Sequence, residues 1–256
     1  CCGVGGVCGA RAAIVGVGFR CYQVAGAVEG ATGFRGLVEG VNGNVNRSGD
    51  LWQRGQTLGA QFRDAGLAAG DAVAVQLPNS VDFVAAWLAA LEQRLVFIPI
   101  DRDAPETEVG AILGHFGIKG LVYRPDRSQQ SIAITTRPGT VRPPLPGDAR
   151  LVKLTSGSTG KPKGIVASEA NLMADCRNIC STMSITPSDI NLGAIPFSHS
   201  YGFSSLVTPL VMQGTAVVIS NDYMPQSIID RSNRHSCTVA PLIPMVFEHL
   251  ASVQRG

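Results

Sequence analysis

From about residue 50 onward, apolar positions recur along the chain in two alternating patterns. Trp52, Leu58 and Phe62 mark one face of a helix ending near Gly66. Residues 72–77 form a short apolar run of buried-strand length, closed by Pro78-Asn79-Ser80. Phe83, Val84, Trp87, Leu88 and Leu91 then return to helical spacing and predict one apolar helix face. Residues 95–100 predict a second buried strand. Val109, Ile112, Leu113 and Phe116 predict the next helix, and residues 118–123 the strand after it. Strands and helices alternating at this spacing predict parallel crossovers. The expected fold is therefore α/β, with layered, mostly parallel sheets flanked by helices.

Five prolines between residues 124 and 150 interrupt this rhythm and predict a surface excursion. The alternation then resumes with strands at 151–154 and 164–167. A helix follows, carrying Leu172, Met173, Cys176, Ile179, Cys180 and Met183 on one side. Further strands are expected at 191–195, 216–220 and 238–240, and helices near 203–212, 225–234 and 244–253, with Pro244 suited to a first helical turn. Residues 1–45 stand apart. Twelve of the first 43 are glycine and no period persists, so this segment is expected to be poorly ordered or outside the fold. Residues 46–256 are expected to form the folded unit.

Composition sharpens this picture. The 256 residues are 45% hydrophobic and only 16% charged, against roughly 25% charged in an ordinary soluble domain. Either much surface is buried or part of the protein lies outside this chain. A formal charge of +2 excludes a strong electrostatic footprint for nucleic acid. The longest apolar helix candidate, residues 83–91, is too short for a transmembrane segment, which needs about 18 residues. Seven cysteines, an odd count without zinc-ligand spacing, fit a reducing, cytoplasmic setting. The four histidines form no metal-binding pair, so no metal ligand is expected. GVGG at 3–6 and GVG at 16–18 do not complete a dinucleotide fingerprint, because Cys8 and Cys21 stand where it needs glycine.

The charges that matter are few. Only four lysines occur, and three of them, Lys153, Lys161 and Lys163, fall within eleven residues. Around them runs Thr155-Ser156-Gly157-Ser158-Thr159-Gly160-Lys161-Pro162-Lys163-Gly164. Glycines let backbone N–H groups approach an anion, hydroxyls donate to phosphate oxygens, and lysine adds a compact charge. This is the composition of a phosphate cradle set between two strands. It is not a Walker loop: only two residues separate Gly157 from Gly160, and Pro162 follows Lys161.

The segment TSGSTGKPKG at 155–164 resembles the signature phosphate loop of the adenylate-forming superfamily, which includes acyl- and aryl-CoA synthetases. GDAVAVQLPNSVDFVAAWLAAL at 70–91 and VFIPID at 96–101 are similar to segments of the same family. The resemblance implies the family's large N-terminal domain fold, with ATP, its Mg²⁺ and CoA as cofactors and co-substrate. Thr155, Ser156, Gly157, Ser158, Thr159, Gly160 and Lys163 would then hold the β- and γ-phosphates, with Lys161 facing solvent. PFSHSYGF at 196–203 resembles the family's pocket segment, which implies that His199, Tyr201, Gly202 and Phe203 line the acid and adenylate pocket. No aspartate lies between Asp189 and Asp222, which favours a carboxylic acid lacking an α-amino group. The implied activity is formation of an acyl-adenylate and then a thioester with CoA. Alternatives are loading of a phosphopantetheinyl carrier protein, or a non-catalytic nucleotide-binding piece. The family's later motifs and its adenylation lysine would lie beyond Gly256, so this chain alone is expected to be inactive or weak, and no catalytic residue is assigned within it.

Overall fold

The computed structural model describes residues 37–39, 44–126, 130–139, 145–155 and 162–253. Two sheets organise them. The larger has the strand order β6-β5-β3-β4-β7-β8, from β3 (Ala72–Gln76), β4 (Val96–Pro99), β5 (Gly120–Tyr123), β6 (Ala133–Thr136), β7 (Ala149–Thr155) and β8 (Lys163–Ser168). The smaller runs β2-β1-β10-β9, from β1 (Leu37–Glu39), β2 (Asn44–Asn46), β9 (Ile190–Gly193) and β10 (Ala216–Ile219). The expected α/β class with parallel inner strands is what forms: β3 pairs parallel with β4 and β5, and β4 with β7. Antiparallel pairs close the edges at β5–β6, β7–β8 and β1–β2.

Helices α1 (Ser48–Asp64), α2 (Val81–Glu92), α3 (Glu106–Phe116) and α4 (Glu169–Thr182) connect these strands. Beyond β9 come α5 (Ser200–Gly202), a π turn at Phe203–Val207 and α6 (Thr208–Gln213); α7 (Pro225–His235) and α8 (Pro244–Val253) follow β10. The helix expected over 203–212 thus begins earlier and contains a π turn.

Helix α2 differs most from its apolar pattern. The spacing predicts one buried face, but every residue from Val81 to Leu91 is buried. Alanines 85, 86, 89 and 90 fill the remaining faces, and the helix lies in one core with Phe97 and Leu151 of the large sheet and Val217 and Ile219 of the small one. Such a helix, apolar all round, has no solvent side. Ser80 caps it, its hydroxyl accepting from the Phe83 N–H at 3.2 Å. Its one acidic residue, Asp82, is met by Arg54 at 2.8 Å and Arg124 at 3.6 Å.

Three further expectations are corrected. Residues 37–39 and 44–45, expected to lie outside the fold, pair in the small sheet with Asn46 completing β2, and Leu37 and Val38 lie opposite Val217 and Val218. The excursion at 124–150 contains an edge strand, β6. The strand expected at 238–240 reduces to a single bridge between Val239 and Asn191, because Pro241 cannot donate to a ladder.

Candidate active site

The parallel strands β3, β4 and β7 share a direction, and their carboxyl ends face the same way. A cavity of about 330 Å³ opens at the carboxyl ends of β3 and β4. Its walls come from the chain just after β3 (Asn79), β4 (Asp101, Arg102), β9 (Pro196, Ser198) and β10 (Ser220, Asn221). Crevices outside the carboxyl ends of parallel strands are where α/β folds bind ligands.

β7 and β8 form an antiparallel hairpin whose last pair at the open end is Thr155 with Lys163. Both are exposed, so the Ser/Gly-rich segment leaves and re-enters the sheet at one point. Ser156, Gly157, Ser158, Thr159, Gly160 and Lys161 lie outside the described residues. Gly164 sits opposite Leu154. A Cβ there would run into Val152 and press on the Phe116 ring at 3.3 Å, so this glycine answers to packing.

The second segment is fixed at its ends and free at its tip. Phe197 and Phe203 are buried, and their rings pack against Phe83 at 5.7 and 6.4 Å; Phe203 also meets Trp87 at 4.8 Å. Between them the chain turns so tightly that a Cβ at Gly202 would collide with the Pro196 carbonyl oxygen; only glycine fits. His199 caps the following turn, its Nδ1 accepting from the Tyr201 N–H at 3.3 Å. His199 is exposed, and Tyr201 is 41% exposed. Of the residues expected to line a pocket, Phe203 is fully buried in the aromatic core, whereas His199 and Tyr201 are exposed at the tip.

Two further groups position these segments. The Asn79 amide, in the β3–α2 turn, donates to the carbonyls of Gly193 at 3.1 Å and Ile195 at 2.9 Å and accepts from the Phe197 N–H at 2.7 Å. Asn221 donates to its backbone carbonyl at 3.2 Å. Lys153, two residues before Thr155, donates to Ser204 Oγ at 2.7 Å, and Ser204 donates to Asp175 Oδ2 at 2.6 Å. The Lys153 side chain is only 17% exposed. Burial pushes its ammonium below the usual lysine range, while the Asp175 carboxylate at 3.9 Å draws it partly back. The scarcity of lysine marks Lys153 in the sequence; nothing in the local pattern marks Ser204 or Asp175.

A family model described as "AMP-binding enzyme" matches residues 48–256. The chain belongs to this family. Proteins similar to it include a sulfoacetate–CoA ligase of Cupriavidus necator, 26% identical over 247 residues, covering 86% of this chain and 48% of that protein. A feruloyl-CoA synthase of an Amycolatopsis species is 24% identical, covering 80% of this chain and 45% of that protein. The p-hydroxybenzoic acid–AMP ligase FadD22 of Mycobacterium tuberculosis is 27% identical over 80% of this chain and 31% of its own length. Among solved structures, the N-terminal domain of FACL13 from Mycobacterium tuberculosis superposes with a TM-score of 0.76 at 19% identity, covering 90% of this chain and 64% of that one. The o-succinylbenzoate CoA synthetase MenE of Bacillus subtilis, in complex with its acyl-adenylate intermediate, gives 0.74 at 20%, covering 91% and 63%. At these identities the superpositions establish the fold. The chain spans about half or less of the length of these curated relatives.

Among the described residues no helix is long and apolar enough to cross a membrane. No group of three or more His, Cys, Asp or Glu among them could hold a metal ion.

Proposed function

We propose that this chain carries the triphosphate- and acid-binding part of an ATP-dependent acid–thiol ligase. The observation that carries the reading is the β7–β8 hairpin, which brings Thr155 and Lys163 together at the carboxyl end of the parallel sheet. In the first step a carboxylate oxygen attacks the α-phosphorus of ATP, the α–β bridging bond breaks, and pyrophosphate leaves with its electron pair. Two anions have to meet, so catalysis is mainly positioning and charge neutralisation. Thr155, the backbone and hydroxyls of residues 156–160, and Lys163 would hold the β- and γ-phosphates. His199 and Tyr201, at the exposed tip of their segment, would face the acid. In the second step a thiolate attacks the acyl carbon and AMP departs. The relatives named as CoA ligases favour CoA as the thiol; a phosphopantetheinyl carrier protein is the alternative acceptor.

Titration of the purified chain with ATP and Mg²⁺ by calorimetry tests the reading. Binding should weaken at least tenfold in a Thr155→Val, Lys163→Met double variant that keeps its unfolding midpoint. Failure of the wild-type chain to bind ATP, or equal binding by the double variant, refutes the phosphate-loop assignment. Thioester formation by the protein spanning the family's full length, supplied with CoA or with a carrier protein, then identifies the acceptor.

A further inference from the structure

The phosphate hairpin and the pocket segment are distant in sequence, yet one serine hydroxyl joins them. Lys153 stands on β7, before the loop, and by strand alternation shares a face with Thr155. Asp175 stands on α4, which directly follows β8, after the loop. Both converge on Ser204, immediately after Phe203. A hydroxyl has one proton to give and lone pairs to accept with. Here it accepts from the ammonium and donates to the carboxylate, so all three groups are matched.

The backbone is shaped to permit this. Ser204 lies in the π turn of Phe203–Val207, a feature frequent at functional sites in α-helices. The Ser204 carbonyl is taken by the Thr208 hydroxyl at 2.7 Å, and the Thr208 N–H reaches the Phe203 carbonyl. The wider turn is thus satisfied by its own residues. Lys153 and Asp175 also lie too far apart for a tight ion pair, at 3.9 Å; the serine carries the link.

We propose that Lys153, Ser204 and Asp175 form a positioning clamp that ties both ends of the phosphate hairpin to the turn behind His199, so that seating a triphosphate orders the acid-binding tip. The clamp rests on residues 155–164 being the phosphate loop. It makes Lys153 a positioning residue: its ammonium is spent on Ser204 and Asp175, whereas Lys163, where the loop rejoins the sheet, is exposed.

Hydrogen exchange on the 256-residue chain, with and without saturating ATP and Mg²⁺, tests it. In the wild type, ATP should slow exchange both in the hairpin and at residues 200–208. Lys153→Met and Ser204→Ala should still fold, by near-ultraviolet circular dichroism, and bind ATP about tenfold more weakly. At saturating nucleotide they should show slowing in the hairpin alone. Lys153→Arg and Ser204→Thr, which keep the donor and the hydroxyl, should restore the slowing at 200–208. A wild type that binds ATP and protects only the hairpin overturns the clamp and leaves the phosphate loop standing. Variants that transmit protection to 200–208 as the wild type does also overturn it. A wild type that binds no ATP overturns both.

Discussion

Asn79 offers the sharpest test of how the candidate site is held. The residue is 6% exposed, and its side-chain amide makes three hydrogen bonds to the end of β9 and the segment after it. Replacing it with leucine keeps the branched outline but removes both donors and the acceptor. Gly193 O retains a second partner, the Ser220 N–H at 3.1 Å, so its loss is small. Ile195 O and Phe197 N lose the partner that Asn79 supplies, and a buried group left unpaired costs about 1–3 kcal/mol. The expected destabilisation of Asn79→Leu is therefore about 4 kcal/mol, measured as a fall in the urea midpoint at constant m. The Phe197 amide should also exchange fast in the variant. Asn79→Asp discriminates hydrogen bonding from packing. It keeps the acceptor for Phe197 but turns a carboxylate oxygen towards two carbonyls, so near neutral pH it should be at least as unstable as the leucine variant. Protonation restores a donor. The aspartate's folded-state pKa is raised, and its penalty should shrink as pH falls through that value. An Asn79→Asp variant as stable as wild type at neutral pH, or with a penalty that does not vary with pH, would refute the reasoning.

Three other outcomes are expected. Gly202→Ala should lower the melting temperature by about 10 °C or prevent folding, because the clash is with the Pro196 backbone and no side chain can swing away. The Asp189 carboxyl is held below the usual carboxylate range, first by the Thr186 N–H and then by the Thr238 and Thr186 hydroxyls. A depressed folded pKa contributes stability above the unfolded value of about 4 that is lost as pH falls through the folded one. Melting curves of wild type and Asp189→Asn should thus converge on acidification. Burial pushes the Cys176 thiol up to about 12 and raises Cys180 as well; mass mapping after iodoacetamide treatment of the native chain should find both unmodified, and labelling of either would contradict their burial.

The inner strands and the helices between them were legible because their period is local. Valines and alanines at 72–76 or 216–219 read as buried strands wherever they sit. Composition singled out the candidate phosphate loop, and resemblance the His199 segment; of the loop, the structure describes the flanking strands that pair Thr155 with Lys163. What escaped depends on contacts without a local trace. Lys153 and Ser204 are 51 residues apart, Asn79 and Phe197 118, and no period connects such pairs. The burial of Phe203 escaped for a related reason. An aromatic residue in a pocket motif and one in a core have the same local pattern, and only the ring contacts with Phe83 and Trp87 separate them. β1 escaped because three residues in a glycine-rich stretch carry too little pattern until β10 lies beside them.

Helix α2, sealed between the sheets, carries a consequence for how the molecule comes apart. An element that belongs equally to two layers cannot be lost by one of them alone. Its amides should be among the last to exchange with solvent, and a cavity cut at Trp87 should lower the resistance of β3 and β10 together. The chain can have two sheets and still melt in a single step.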